Sequence, residues 1–164
     1  MHTLSHTAYP SLLFIIIARL MNIQYALFDI LILIFFSLLP DLDFLFHKFV
    51  KRGEFNVNFR HHKWFTHWPI TYIPLFVLLF FYPNFKFFLI CYGIYSHLIL
   101  DTFLCGDGIM WFYPFSKKFF NFSSTKIKGK HGRDWLNVYK KTLIYKVDII
   151  AFVILVIVLF NLST

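Results

Sequence analysis

The chain has 164 residues, 59% of them hydrophobic and 23% aromatic, with only 15% charged, and its mean hydropathy is +0.65. That exceeds the apolar share of a soluble domain and falls short of its charge, so the composition describes a single membrane-embedded domain over residues 1–164. The net charge of +8 does not argue for nucleic acid, because no reader motif accompanies it and the lysines and arginines gather in two polar stretches between apolar runs, as the positive-inside bias and anionic headgroups require.

Five apolar segments follow along the chain. The first, about Tyr9 to Leu20, has no Lys or Arg before it and is interrupted by Arg19, so it reads as a retained helix and not a cleavable signal peptide; His6 stands just ahead of it. The tight turn "MNIQ" leads to the second, Tyr25 to Leu39, closed by Pro40 with Asp41 and Asp43 beyond. A basic stretch from Asp41 to Trp68 precedes the third, Pro69 to Tyr82. There Thr66 reads as an N-cap, which makes His67 the first helical residue, leaves His62 in the loop, and puts Pro69 in the first turn where its missing N–H costs nothing. "PNF" turns into the fourth segment, Phe85 to Leu104, with His97 and Asp101 in its last two turns. The second basic loop, Gly106 to Lys141, leads to the fifth, Thr142 to Leu162.

The fourth and fifth segments reach the roughly 20 residues a bilayer demands. The others are shorter and read as tilted spans or interfacial helices. The fold class is therefore all-α, a polytopic membrane bundle of about four to five helices. Two spans separate the basic loops, so both lie on one side, and the charge bias makes that side cytoplasmic. Alternating helix direction carries His6, Asp41, Asp43, His62, His67, His97 and Asp101 to that same face. Cys91 and Cys105 lack the spacing of a disulfide framework or metal knuckle.

His97 and Asp101, at i and i+4, stack about 6 Å apart on one helical face. A carboxylate in an apolar span costs about 3 kcal/mol or more and survives with a partner or a task. The pair offers a divalent cation one nitrogen and one oxygen; read alone, it is equally a helix-internal hydrogen bond. His62 and His67, five apart, cannot share one helical face. Asp41 and Asp43, at i and i+2, point apart, so one suits ligation and the other suits orienting a histidine or acting as base, although Pro-Asp alone is an ordinary helix-ending turn. Asp29 and Asp148 lie near segment starts, where snorkelling or Lys146 accounts for them, and no polar path crosses the spans as transport would need. His131, Asp134 and Cys105 read as secondary ligand candidates, with a solvated loop as the default for the first two.

Taken in order, His6; Leu39, Pro40, Asp41 and Asp43; His62, Thr66 and His67; Ser96, His97 and Asp101; and Gly108 followed by Trp111 and Pro114 resemble the YdjM-like family of LexA-regulated, membrane-bound metal-dependent hydrolases. The resemblance spans about residues 5 to 116. It departs from the family pattern at Lys63-Trp64, in place of Arg-Gly, at Trp68, in place of Ser, and at Phe44, where a His often follows the second Asp. The family is in turn similar to the zinc-dependent phospholipase C and single-strand nuclease superfamily, which implies a phosphoester substrate, phospholipid-like or nucleotide-like.

The function expected is thus metal-dependent hydrolysis at the cytoplasmic membrane face. His6, Asp41, Asp43, His62, His67, His97 and Asp101 would hold divalent metal, Zn²⁺ first, with Asp43 or Asp101 taking the proton of the attacking water and Lys63 drawing in an anionic small-molecule or lipid substrate. The alternative is a membrane protein that binds metal without turnover, or one whose polar cluster is structural.

Overall fold

A computed structural model describes residues 3–43, 61–104, 108–122 and 132–163. Among these the regular structure is helical, joined by turns and irregular stretches, with one isolated antiparallel bridge between Ile109 and Phe120. Helix α1, Thr3–Leu20, ends in a turn where Asn22 takes a left-handed φ of 55°, a conformation its short polar side chain tolerates. Helix α2, Leu27–Leu38, begins with the Asp29 carboxylate accepting the Ala26 N–H at 2.8 Å, so this acid serves the helix start. Proline-bearing 3₁₀ turns follow at Leu39–Leu42 and Pro69–Tyr72, with two more at His61–Lys63 and Phe65–His67. Helix α3 is Ile73–Phe81, and α4, Phe85–Leu104, starts with the Asn84 side chain accepting the N–H groups of Lys86 and Phe87. Helices α5, Gly132–Tyr139, and α6, Leu143–Ser163, complete the described chain.

Two expectations change. The described residues hold six helices, not four to five, because part of the second basic loop folds as α5, with Tyr139 buried at its end. The third segment becomes α-helical only at Ile73, since Trp68 precedes a proline and is held extended, at φ −96° and ψ 120°. Thr66 accordingly caps nothing, His67 sits in a 3₁₀ turn ahead of the helix, and His62 belongs to a turn of its own. Among the described residues two helices, α4 and α6, are long and apolar enough to cross a membrane, the two segments that the sequence marks as of spanning length. α6 turns Val147, Ile150, Val153, Ile157 and Phe160 outward, as a lipid-facing helix does.

α4 packs along α2, and α1 lies against both α2 and α6. Their shared core is Ala8, Phe14, Ile15 and Ala18 from α1, Ile30 and Leu33 from α2, Leu89 from α4, and Ala151 and Leu155 from α6. Gly93 lets α4 approach α2 closely: a Cβ there would lie 2.9 Å from the Leu33 carbonyl oxygen and 3.0 Å from the Ser37 nitrogen. A second core, Tyr72, Ile94, Leu98 and Ile109, seats the 3₁₀ turns against α4. Between these cores, the start of α1, the end of α2, the turns around His62 and His67, and the last two turns of α4 meet.

Candidate metal centre

The seven side chains marked in the sequence converge there. Asp101 reaches across the cluster, with Oδ1 3.2 Å from His6 Nε2 and Oδ2 3.3 Å from His62 Nε2, 3.2 Å from His97 Nε2 and 3.8 Å from His67 Nε2. Asp41 Oδ1 lies 3.6 Å from Nε2 of both His67 and His97. His6 stacks on His97 with ring centroids 3.7 Å apart, and His67 lies 4.9 Å from His62 and 5.4 Å from His97. Helix direction thus gathers residues ninety-five positions apart in the chain, from His6 to Asp101, at contact distance.

Each element aims its ligand atoms by a separate device. His97 Nδ1 is 2.7 Å from the Ser37 carbonyl oxygen. A carbonyl only accepts, so Nδ1 carries a proton, and the ring held from that side turns Nε2 inward. His67 is set from behind by Asp43, whose Oδ2 lies 3.4 Å from Nδ1, while the Thr66 hydroxyl donates to that same carboxylate oxygen at 3.2 Å. The backbone carrying Thr66 is itself pinned, because Tyr72 donates to the Thr66 carbonyl and Thr71 to that of Phe65, each at 2.7 Å, and Tyr95 donates to the Pro69 carbonyl at 3.2 Å.

The three carboxylates therefore occupy different places. Asp101 and Asp43 are fully buried and turned to imidazoles, whereas Asp41 keeps 26% of its side chain exposed. The sequence reading assigned proton transfer to Asp43 or Asp101; the carboxylate in touch with solvent is Asp41. Burial opposes ionisation of Asp41, but the charge of His97, a hydrogen bond from His67 and the charge of His6 outweigh it and hold the carboxyl well below the usual carboxylate range. His6 goes the other way: burial first, then neighbouring His97, push its imidazole down to about 4.

The donor set fits divalent metal. Two groups, His6 with Asp41 and His97, and His62 with His67 and Asp101, each bring one atom per residue within 4.8 Å of one another. With neutral imidazoles the three carboxylates leave the buried cluster at a formal −3, a state too costly to bury uncompensated. Protonating the histidines instead would stack two cations, His6 and His97, face to face. His97 Nε2 is buried and confronts carboxylate oxygens on two sides, 3.6 Å away at Asp41 and 3.2 Å at Asp101, an arrangement that a cation between them relieves. Imidazole and carboxylate together are the usual protein ligands of Zn²⁺.

Two further residues had no signal in the sequence. Ser37 acts through its backbone carbonyl, which no residue type reveals, and Tyr72 acts as a strut far from the motif it supports. Lys63 is exposed beside His62. Cys91 is a buried free thiol. His47, Cys105 and His131, and the side chain of Asp134, lie outside the described residues. A family model described as YdjM inner membrane protein matches residues 1–164, the whole chain, in accord with the resemblance carried by the ordered motifs. No curated protein and no solved structure gives a match.

Proposed function

The chain belongs to the YdjM inner membrane protein family, and on that premise we propose that it is a membrane-bound metal-dependent hydrolase acting on a phosphoester at the cytoplasmic membrane face. The observation that carries the reading is the aim of the ligand atoms. Ser37 and Asp43 hold the outer nitrogens of His97 and His67, so that both inner nitrogens meet Asp41 and Asp101 in a buried space. Histidines fixed through one nitrogen and converging through the other are the hallmark of metal ligation. His6, Asp41 and His97 would hold one cation and His62, His67 and Asp101 a second, with Asp101 reaching both groups. Zn²⁺ is the ion best suited to the set.

A divalent cation held there would polarise a phosphoryl oxygen and make water a competent nucleophile at neutral pH. The chain's own part is division of labour. Asp41, a ligand that faces solvent, would leave its side of the cation open to water; Asp43 and Thr66 would keep His67 in place; Lys63, exposed next to His62, would attract the anionic substrate. A phospholipid-like or a nucleotide-like phosphoester satisfies this chemistry.

The burial of every member but Asp41 supports a second reading, a metal-binding membrane protein without turnover, because structural sites are closed and catalytic sites keep an open position. Elemental analysis of detergent-purified protein beside His67→Ala and Asp101→Ala, followed by phosphodiester and phospholipid turnover assays, separates the two. Stoichiometric metal lost in both variants, together with turnover in the wild type, is the expected result. Metal without turnover selects the second reading. Equal absence of metal from all three proteins after reconstitution with excess Zn²⁺ refutes both.

A further inference from the structure

Asp148 belongs to α6, near the start of a long apolar helix, and is fully buried. The sequence offered snorkelling or pairing with Lys146 as its explanation; the structure replaces both. Tyr9 of α1 donates to its Oδ1 at 2.5 Å, and Tyr139 of α5 donates to its Oδ2. A buried carboxylate in an apolar helix is costly unless satisfied, and here two hydroxyls from two other helices satisfy it.

The contact point on α1 is what gives this network a consequence for the metal centre. Tyr9 lies three residues after His6, just under one turn along α1, so the Asp148 network holds the helix beside that residue. The grip falls where α1 is weakest. Pro10 lies within the helix and has no N–H, so the carbonyl of His6 loses its regular partner four residues on. The other six residues of the cluster sit on the 3₁₀ turns, at the end of one of them, and on the helix Phe85–Leu104; His6 alone arrives on α1.

Building on the metal-binding reading above, we propose that Asp148 is a positioning residue for the metal centre: held at its other oxygen by Tyr139, it fixes the first turns of α1 through Tyr9 so that His6 stacks on His97 and reaches Asp101. The membrane helix α6 thereby acts as a clamp on the His6, Asp41 and His97 group, at a distance from the ligand atoms.

The test is Co²⁺ binding to the full-length protein in detergent, read by titration and by the visible absorption that reports ligand number and geometry. Asp148→Asn and the gentler Tyr9→Phe should each weaken binding at least about ten-fold, the scale of an outer support lost from a metal site, and alter the absorption bands. In a His6→Ala background, adding Asp148→Asn should cost nothing more. Wild-type affinity and an unchanged spectrum in both single variants overturn the proposal, and so does a loss of equal size in the His6→Ala background, which would mark a general effect on folding. Should Asp148→Asn fail to fold, Tyr9→Phe removes one hydroxyl only and decides alone. Wild-type protein that binds no Co²⁺ removes the metal reading and this inference with it, a failure distinct from wild-type protein that binds and variants that match it.

Discussion

Gly93→Ala tests whether the approach of α4 to α2 sets the metal centre. The new Cβ would stand 2.9 Å from the Leu33 carbonyl oxygen, 3.0 Å from the Ser37 nitrogen and 3.2 Å from the Phe36 carbonyl carbon, all backbone atoms that cannot swing aside. Ordinary contact begins near 3.4 Å, so the helices must part by about 0.5 Å. Overpacking of this kind costs about 1–3 kcal/mol. The damage does not stop at stability, because His97 lies one turn beyond Gly93 on α4 and donates to the carbonyl of Ser37 on the displaced helix. Adding about 0.5 Å to that 2.7 Å bond puts it at the limit of a useful hydrogen bond, and a metal-binding histidine that loses its outer partner forfeits about 10–100-fold in affinity. Denaturant unfolding of the metal-free protein, beside competition titration with a chelator of known affinity, reads the two effects separately. A variant that loses stability yet binds Zn²⁺ as wild type does would refute the claim that the Ser37 carbonyl positions His97.

Three other expectations follow from the same geometry. Asp41→Asn should abolish or nearly abolish metal retention at the His6, Asp41 and His97 group, whereas Asp43→Asn should lower affinity by about 10–100-fold without removing the site; elemental analysis and chelator competition tell them apart. Thr66→Val deletes the hydroxyl donated to Asp43 and should cost about 1 kcal/mol of stability with a smaller fall in metal affinity than Asp43→Asn, measured in the same two assays. For His6, the imidazole is held near 4 against 6.5 in an unfolded chain, so the unfolded state binds more protons between those values and folding stability falls as pH drops through that window. His6→Gln should flatten this acid dependence in metal-free protein, by no more than about 1.4 kcal/mol per pH unit; unfolding midpoints of both proteins at pH 7, 6, 5 and 4 give the comparison, and parallel curves would contradict it.

Much of the site was legible because membrane-like sequence makes polar residues conspicuous. In a chain with 15% charged residues, an Asp four places after a His at the end of an apolar run stands out, and alternating helix direction then predicts which end each residue reaches. The turns were less legible. Thr66 had the residue type of a cap, but Pro69 three places on bars an α-helix from starting there, and its hydroxyl went to Asp43 instead. Asp148 illustrates the same limit from the other side. Its partners Tyr9 and Tyr139 lie 139 and 9 residues away, and a tyrosine in an aromatic-rich chain carries no mark of the carboxylate it will meet.

The three site carboxylates differ in what holds them, and this follows from where each element ends. Asp101 projects from a helix interior, where backbone geometry is rigid and solvent is excluded, so it can touch four imidazoles without turning aside. Asp41 and Asp43 share one 3₁₀ turn and its end, which sends i and i+2 in different directions: one enters the cluster from the solvent side, the other passes behind His67. A proline at position 40 is what makes that split possible, since it stops α2 one turn before an α-helix would have spread the two aspartates by its own period. The motif Leu-Pro-Asp-x-Asp therefore encodes two roles with one break in a helix. Replacing Pro40 should disturb the division between Asp41 and Asp43 before it disturbs the packing of α2, because Leu33 and Ile30, the buried anchors of that helix, lie at least a full turn upstream.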